Sequence, residues 1–163
     1  MTKEDRMIRR DRMRYMKNSF SSGFALLAIV FNVLYFVSIY RSDVGSYYYQ
    51  ALTGASIVYN LLFMLIVFLS SEGVKNYKMG YSFVLLVIGV LQIARIFILP
   101  MKAYEASVTL MGEEVKVMGD SQFTWIVIFL SASALCCLIA AVSSFCKNCS
   151  LASHMASLKK KAA

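Results

Sequence analysis

The stretch LQIARIFILP, residues 91–100, sets Gln92 and Arg95 three positions apart inside an otherwise apolar run. On a helix that spacing places both on one face. Asn32 and Asn60 lie in the middle of two other apolar runs, so a guanidinium and three amides are available at similar depths in three segments. Such a group can form a neutral-lined polar cluster, bind an anion, or pair with an acid on another molecule.

Two outcomes for Arg95 carry equal weight. It can join Asn32, Asn60 and Gln92 in the interior, or its long stem can carry the charge outward. Pro100 lies five residues on, about 7–8 Å along a helix axis. Exposing the charge to lipid at the midplane costs about 2.5–3.5 kcal/mol, so a partner or an escape is required. The apolar runs hold no Asp, Glu, Lys or His. The counter-charge, if any, comes from another molecule, and Tyr35, backbone carbonyls or a lipid phosphate are the remaining neighbours to consider.

The cysteines are Cys136, Cys137, Cys146 and Cys149, the last two in the sequence FCKNC. With the single histidine, His154, Cys146 and Cys149 supply three metal ligands at most, whereas a structural zinc site takes four. No metal site or cofactor is expected, and these three residues are the candidates should one exist. Ser131, Ser133 and Cys136 have no general base nearby in the sequence, and no phosphate loop or zinc-peptidase motif is present. The chain is expected to be non-enzymatic.

What positions these residues follows from hydropathy. Of 163 residues, 59% are hydrophobic and 16% charged, which is too apolar for one soluble domain of this length. Charged residues are absent from 18–40, 44–71, 79–94 and 121–146. A bilayer core of roughly 30 Å needs about 20 apolar helical residues. The runs predict an all-α integral membrane protein, a bundle of four transmembrane helices at about 20–40, 51–70, 80–100 and 123–145. The first apolar run is too long for a signal peptide and lacks a small-residue cleavage site, so it is expected to remain in the mature protein.

Basic residues orient the bundle. Lys3, Arg6, Arg9, Arg10, Arg12, Arg14 and Lys17 precede the first span, Lys75 and Lys78 sit between the second and third, and Lys147, Lys159, Lys160 and Lys161 follow the fourth. The other side has only Arg41, Lys102 and Lys116. The positive-inside rule then puts both termini in the cytoplasm, most simply at a plasma or inner membrane. Topology accounts for most of the net charge of +8, and no nucleic acid is implied. Anionic lipids on the cytoplasmic side are the expected partners of the basic segments.

Residues 1–19 read as a basic, helical arm, 20–146 as the membrane domain, and 147–163 as a disordered basic tail. In the outer loop, 101–122, β-formers flank Gly112-Glu113-Glu114, predicting a small hairpin of Val108–Met111 and Val115–Met118 between the third and fourth spans. The run SYYYQ, with Tyr47, Tyr48 and Tyr49, reads as an aromatic belt at the outer border.

In the fourth span, Ala132, Cys136, Ala140 and Ser144 recur every four residues, and Ser133, Cys137 and Ala141 form the adjacent row. Small residues on one face let helix backbones approach closely. The stripe predicts a helix-packing face, with Leu135, Leu138, Ile139 and Val142 turned elsewhere. Its neighbour can belong to this chain or to a second subunit.

Together these features point to an accessory or scaffold subunit that associates with another membrane protein or with itself. The alternative is a small oligomeric transporter or channel for an anionic or polar solute, using Arg95 and Gln92.

Overall fold

The computed structural model describes residues 3–40, 50–110, 113–116 and 118–162. The Tyr47–Tyr49 run and the Met111-Gly112 connection lie outside them. Among the described residues, four helices are long and apolar enough to cross a membrane.

Helix α1, Lys3–Arg12, is the amphipathic arm. Helix α2, Ser19–Ile39, opens at Asn18, whose side chain accepts the Ser21 N–H and so satisfies one orphan donor of the first turn. Helix α3 is Gln50–Lys75 and helix α4 is Met79–Ile96. The α3–α4 turn is a Schellman close: Lys78 N–H returns to Gly73 O and Tyr77 N–H to Val74 O, with Tyr77 in the left-handed region at φ 56°. The ring of Tyr81 lies directly on Gly73, where no Cβ would fit.

The third apolar segment is not one continuous helix over 80–100. Pro100 has no N–H, and its ring would clash with the carbonyl four residues back, that of Ile96. Accordingly α4 ends at Ile96, Phe97 and Ile98 form a tight turn, and a short helix α5, Leu99–Glu105, begins with Pro100 in its first turn.

Two short strands follow, β1 (Ser107–Leu110) and β2 (Glu113–Lys116), paired antiparallel with Ser107 opposite Lys116 and Leu110 opposite Glu113. Glu113 and Glu114, assigned by composition to the turn, lie within β2, and Met118 is fully buried beyond it.

Helix α6 runs from Asp120 to Ala162. Residues 147–162 are therefore helical, correcting the expected disordered tail. Nothing in Asp120–Ala162 breaks a helix, since it contains no Gly or Pro, and its last part is rich in Ala, Leu, Met and Lys. At 1.5 Å per residue α6 is about 65 Å long, roughly twice a bilayer core.

The four long helices close a ring in which α2 packs on α3, α3 on α4, α4 on α6 and α6 on α2. On α2 the buried residues Ser21, Ala25, Ala28, Asn32, Tyr35 and Ile39 follow the three-to-four spacing of one helix face. The opposite faces are apolar too: Val30, Val37, Leu61, Leu65, Val87, Val90, Leu135 and Val142 are all more than half or nearly half exposed. A girdle of this kind is compatible with a helix bundle that crosses a membrane.

Two apolar cores fill the ring. One gathers Ala25, Ala28, Phe63, Val67, Leu85, Ile88, Cys137 and Ala141, and the other Tyr35, Ile39, Leu99, Met118, Ile126 and Leu130. Between them on α2 sits Asn32, on α4 Gln92 and on α6 Ser133, so a polar layer divides the bundle.

Candidate functional site

The polar layer is built on Arg95, which occupies the last turn of α4. That turn exists because Pro100 stops the helix, and a cation at a helix C-terminus faces the negative end of the backbone dipoles. The side chain does not snorkel: Arg95 is 5% exposed. Its Nη1 donates to Asn60 Oδ1 at 2.7 Å, and its Nη2 donates to Ser56 Oγ at 2.9 Å. The guanidinium carbon lies 4.5 Å from the ring centre of Tyr35 and 4.6 Å from that of Tyr59.

The amides extend the layer. Asn32 Nδ2 donates to Asn60 Oδ1 at 3.1 Å, joining α2 to α3. Gln92 Nε2 donates to Asn32 Oδ1 at 3.0 Å across the bundle and to Ser133 Oγ on α6 at 3.4 Å. Ser133 Oγ in turn donates to the Ala28 carbonyl at 2.9 Å. Asn32, Asn60, Gln92 and Ser133 are each fully buried.

The structure thus joins Asn32, Asn60, Gln92 and Arg95 in one hydrogen-bonded group, with a member on each of α2, α3 and α4 and a link to α6. Burying the guanidinium is offset by charge-assisted hydrogen bonds, about 1.5–3 kcal/mol each, and by desolvated cation–π contacts of up to about 2 kcal/mol. Among the described residues, three buried atoms of the layer have no hydrogen-bond partner: Tyr35 Oη, Asn60 Nδ2 and Gln92 Oε1.

Ser56 and Tyr59 are members that sequence reasoning passed over. The signal was present, since Ser56, Tyr59 and Asn60 stand at i, i+3 and i+4 and therefore share a face of α3. Small hydroxyl residues are common on transmembrane helices, which hides them from a search for charged groups.

The small-residue stripe of α6 packs inside this chain. Ser133, Cys136, Cys137, Ala140, Ala141 and Ser144 are buried, while Ala132 is half-buried. Its counterpart on α4 is Gly89, where an added Cβ would stand 3.0 Å from Leu138 and 3.4 Å from the Ala134 carbonyl. Ser144 Oγ accepts from Ser82 Oγ at 2.8 Å. Leu135, Ile139 and Val142 point outward and Leu138 is half-buried against α4.

Below the bundle, α1 docks on the extension of α6. His154 Nε2 lies 2.8 Å from Asp11 Oδ1, and the imidazole holds that carboxyl below the usual carboxylate range, aided by Arg14 at 3.8 Å. His154 is buried by this contact, whereas Cys146 and Cys149 are exposed. The structure does not bring the three together, and among the described residues no three His, Cys, Asp or Glu side chains converge as a metal-holding group.

A further set of bonds ties the same end. Lys147 Nζ donates to Asn18 Oδ1 at 2.7 Å, Asn18 N–H donates to the Lys75 carbonyl at 2.9 Å, and the hydroxyls of Ser22 and Ser71 are 2.8 Å apart. Comparison with protein-family models, curated proteins and solved structures returned no match to this chain.

Proposed function

We propose that this chain is a multi-pass membrane protein, inserted in a plasma or inner membrane with both termini cytoplasmic, that serves as a non-enzymatic accessory or scaffold subunit. The observation that carries this reading is the use made of Arg95: the ionisable group of the span interior bonds to Ser56 and Asn60 and packs on Tyr35 and Tyr59 of its own chain. Its hydrogen-bonding capacity is spent on helix-to-helix contacts rather than left facing a substrate. Buried polar networks of this kind set a unique arrangement of helices.

A bundle so held presents fixed surfaces at its two ends. The inner end carries α1 and the last turns of α6, with most of the basic residues, which by the positive-inside rule face the cytoplasm. The outer end carries the paired strands β1 and β2. These surfaces, and the apolar girdle, are where another membrane protein or a second copy would associate.

The test is purification of the full chain in mild detergent, with measurement of the mass of the complex and identification of bound protein. A stoichiometric partner or a defined homo-oligomer supports the subunit function. A solitary monomer that carries anions across liposome membranes, with flux lost in Arg95→Ala, overturns it.

A second function, transport of an anionic or polar solute, is favoured by one observation. Asn60 Nδ2 and Gln92 Oε1 are buried beside the guanidinium without partners, and unpaired buried polar atoms invite a water or a solute. The same liposome measurement decides between the two.

A further inference from the structure

A cavity of about 790 Å³ lies at the inner end of the bundle, roofed by α1 and the 13–18 connection and floored by the start of α2 and by α6. Among the described residues its lining cations are Arg12, Lys17 and Lys147, set against the acid Asp5. Its apolar wall includes Ile8, Met16 and Phe20, which remain 59%, 59% and 53% exposed.

The pocket is built rather than incidental. Asn18, 2% exposed, holds Lys147 Nζ at 2.7 Å, and the same ammonium stands 5.1 Å from the centre of the Phe20 ring. The roof is fastened to the floor by the Asp11–His154 contact on the adjoining turn of α1.

From these features the geometry points to a binding site for one anionic phospholipid. The cations answer the phosphate, and the site stands where α2 begins at Ser19 and α6 leaves the bundle, the level of the headgroups if the four long helices span the bilayer. The exposed Ile8, Met16 and Phe20 distinguish the occupant, because a soluble anion has nothing to set against them, whereas the glycerol and upper acyl segments of a lipid do. The volume is that of a small-molecule site, larger than a phosphate group alone requires. The site rests on the membrane placement proposed above but not on the existence of a protein partner.

The experiment uses the full chain in a neutral detergent, exposed to phosphatidylglycerol, phosphatidylcholine or inorganic phosphate. Native mass spectrometry reads lipid retention, and alkylation of Cys146, which lines the cavity, is compared with that of Cys149, which does not. The expected result is one phosphatidylglycerol retained per chain, little phosphatidylcholine, and slowed alkylation of Cys146 alone. Arg12→Ala with Lys17→Ala, both exposed side chains whose loss spares the fold, weakens retention about thirtyfold. Lys147→Ala weakens it further, while Lys102→Ala with Lys160→Ala, equal in charge but outside the cavity, leaves it unchanged.

Equal retention of both lipids overturns the site, as does equal weakening by the control pair, which would mean diffuse attraction. Competition by millimolar inorganic phosphate also overturns it, in favour of a soluble anion. Because retention is read on the isolated chain, its failure is distinct from failure to find a protein partner.

Discussion

Arg95 Nη1 meets Asn60 Oδ1 at 2.7 Å, joining the last turn of α4 to the middle of α3. The contact is charge-assisted and fully desolvated, conditions under which a hydrogen bond is strong and its loss leaves a buried group unpaired. Arg95→Ala is expected to destabilise the bundle by about 2–4 kcal/mol in detergent unfolding. Arg95→Lys should recover only part of this, because an ammonium cannot fork between Asn60 and Ser56. A double-mutant cycle with Asn60→Ala should return a coupling of about 1.5–3 kcal/mol. Additive losses would mean that the two side chains stabilise the fold independently.

Gly73→Ala drives a methyl group into the Tyr81 ring, at the turn that holds α3 against α4. Overpacking of this kind costs about 1–3 kcal/mol. Tyr81→Ala in the same chain should relieve the clash, so the double variant melts above the sum of the single losses. If Gly73→Ala melts like the wild type, the close approach of ring and backbone is not a feature of the protein in solution.

The Asp11–His154 contact has an acid limit. The folded-state pKa of Asp11 is depressed, chiefly by the hydrogen bond from His154, so its contribution to docking α1 is present above the ordinary carboxylate value of 3.8 and is lost as pH falls through the lower folded value. A carboxyl NMR titration should place the Asp11 midpoint below 3.8, and His154→Ala should raise it. Identical midpoints in the two proteins would remove the pairing as the cause.

Topology is tested by labelling in intact cells or sealed vesicles. In one variant a cysteine substituted for Lys102 is the sole cysteine and should react with an impermeant maleimide from outside; in a second variant Cys149 is kept as the sole cysteine and should react only after permeabilisation. The reverse pattern would invert the orientation and place the basic end outside.

Much of the candidate site was legible in the sequence. Asn32, Asn60, Gln92 and Arg95 interrupt apolar runs, and counting residues from the run ends put them at similar depths. Their number and depth follow from composition along each segment. Ser56 and Tyr59 escaped because a hydroxyl or a phenol in a span is ordinary, and only the arrival of the guanidinium from α4 makes them ligands. The tail was misread for a related reason. Small polar residues after the fourth span suggest fraying, yet His154 finds Asp11, which is 143 positions away, and the pairing gives the helix a neighbour to pack against.

The sequence by itself determined which segments are apolar enough to span, which side of the bundle is basic, and that a lone arginine shares a helix face with Gln92 while the spans hold no acid. Hydropathy and charge are properties of each segment taken alone, so one chain suffices to read them. Only the tertiary structure decided that Arg95 turns inward, that the α6 stripe meets α2 and α4 of the same chain, and that α1 folds back to roof a basic cavity. Those outcomes depend on how each helix is rotated about its own axis, and rotation is set by the fit of small and large side chains between helices.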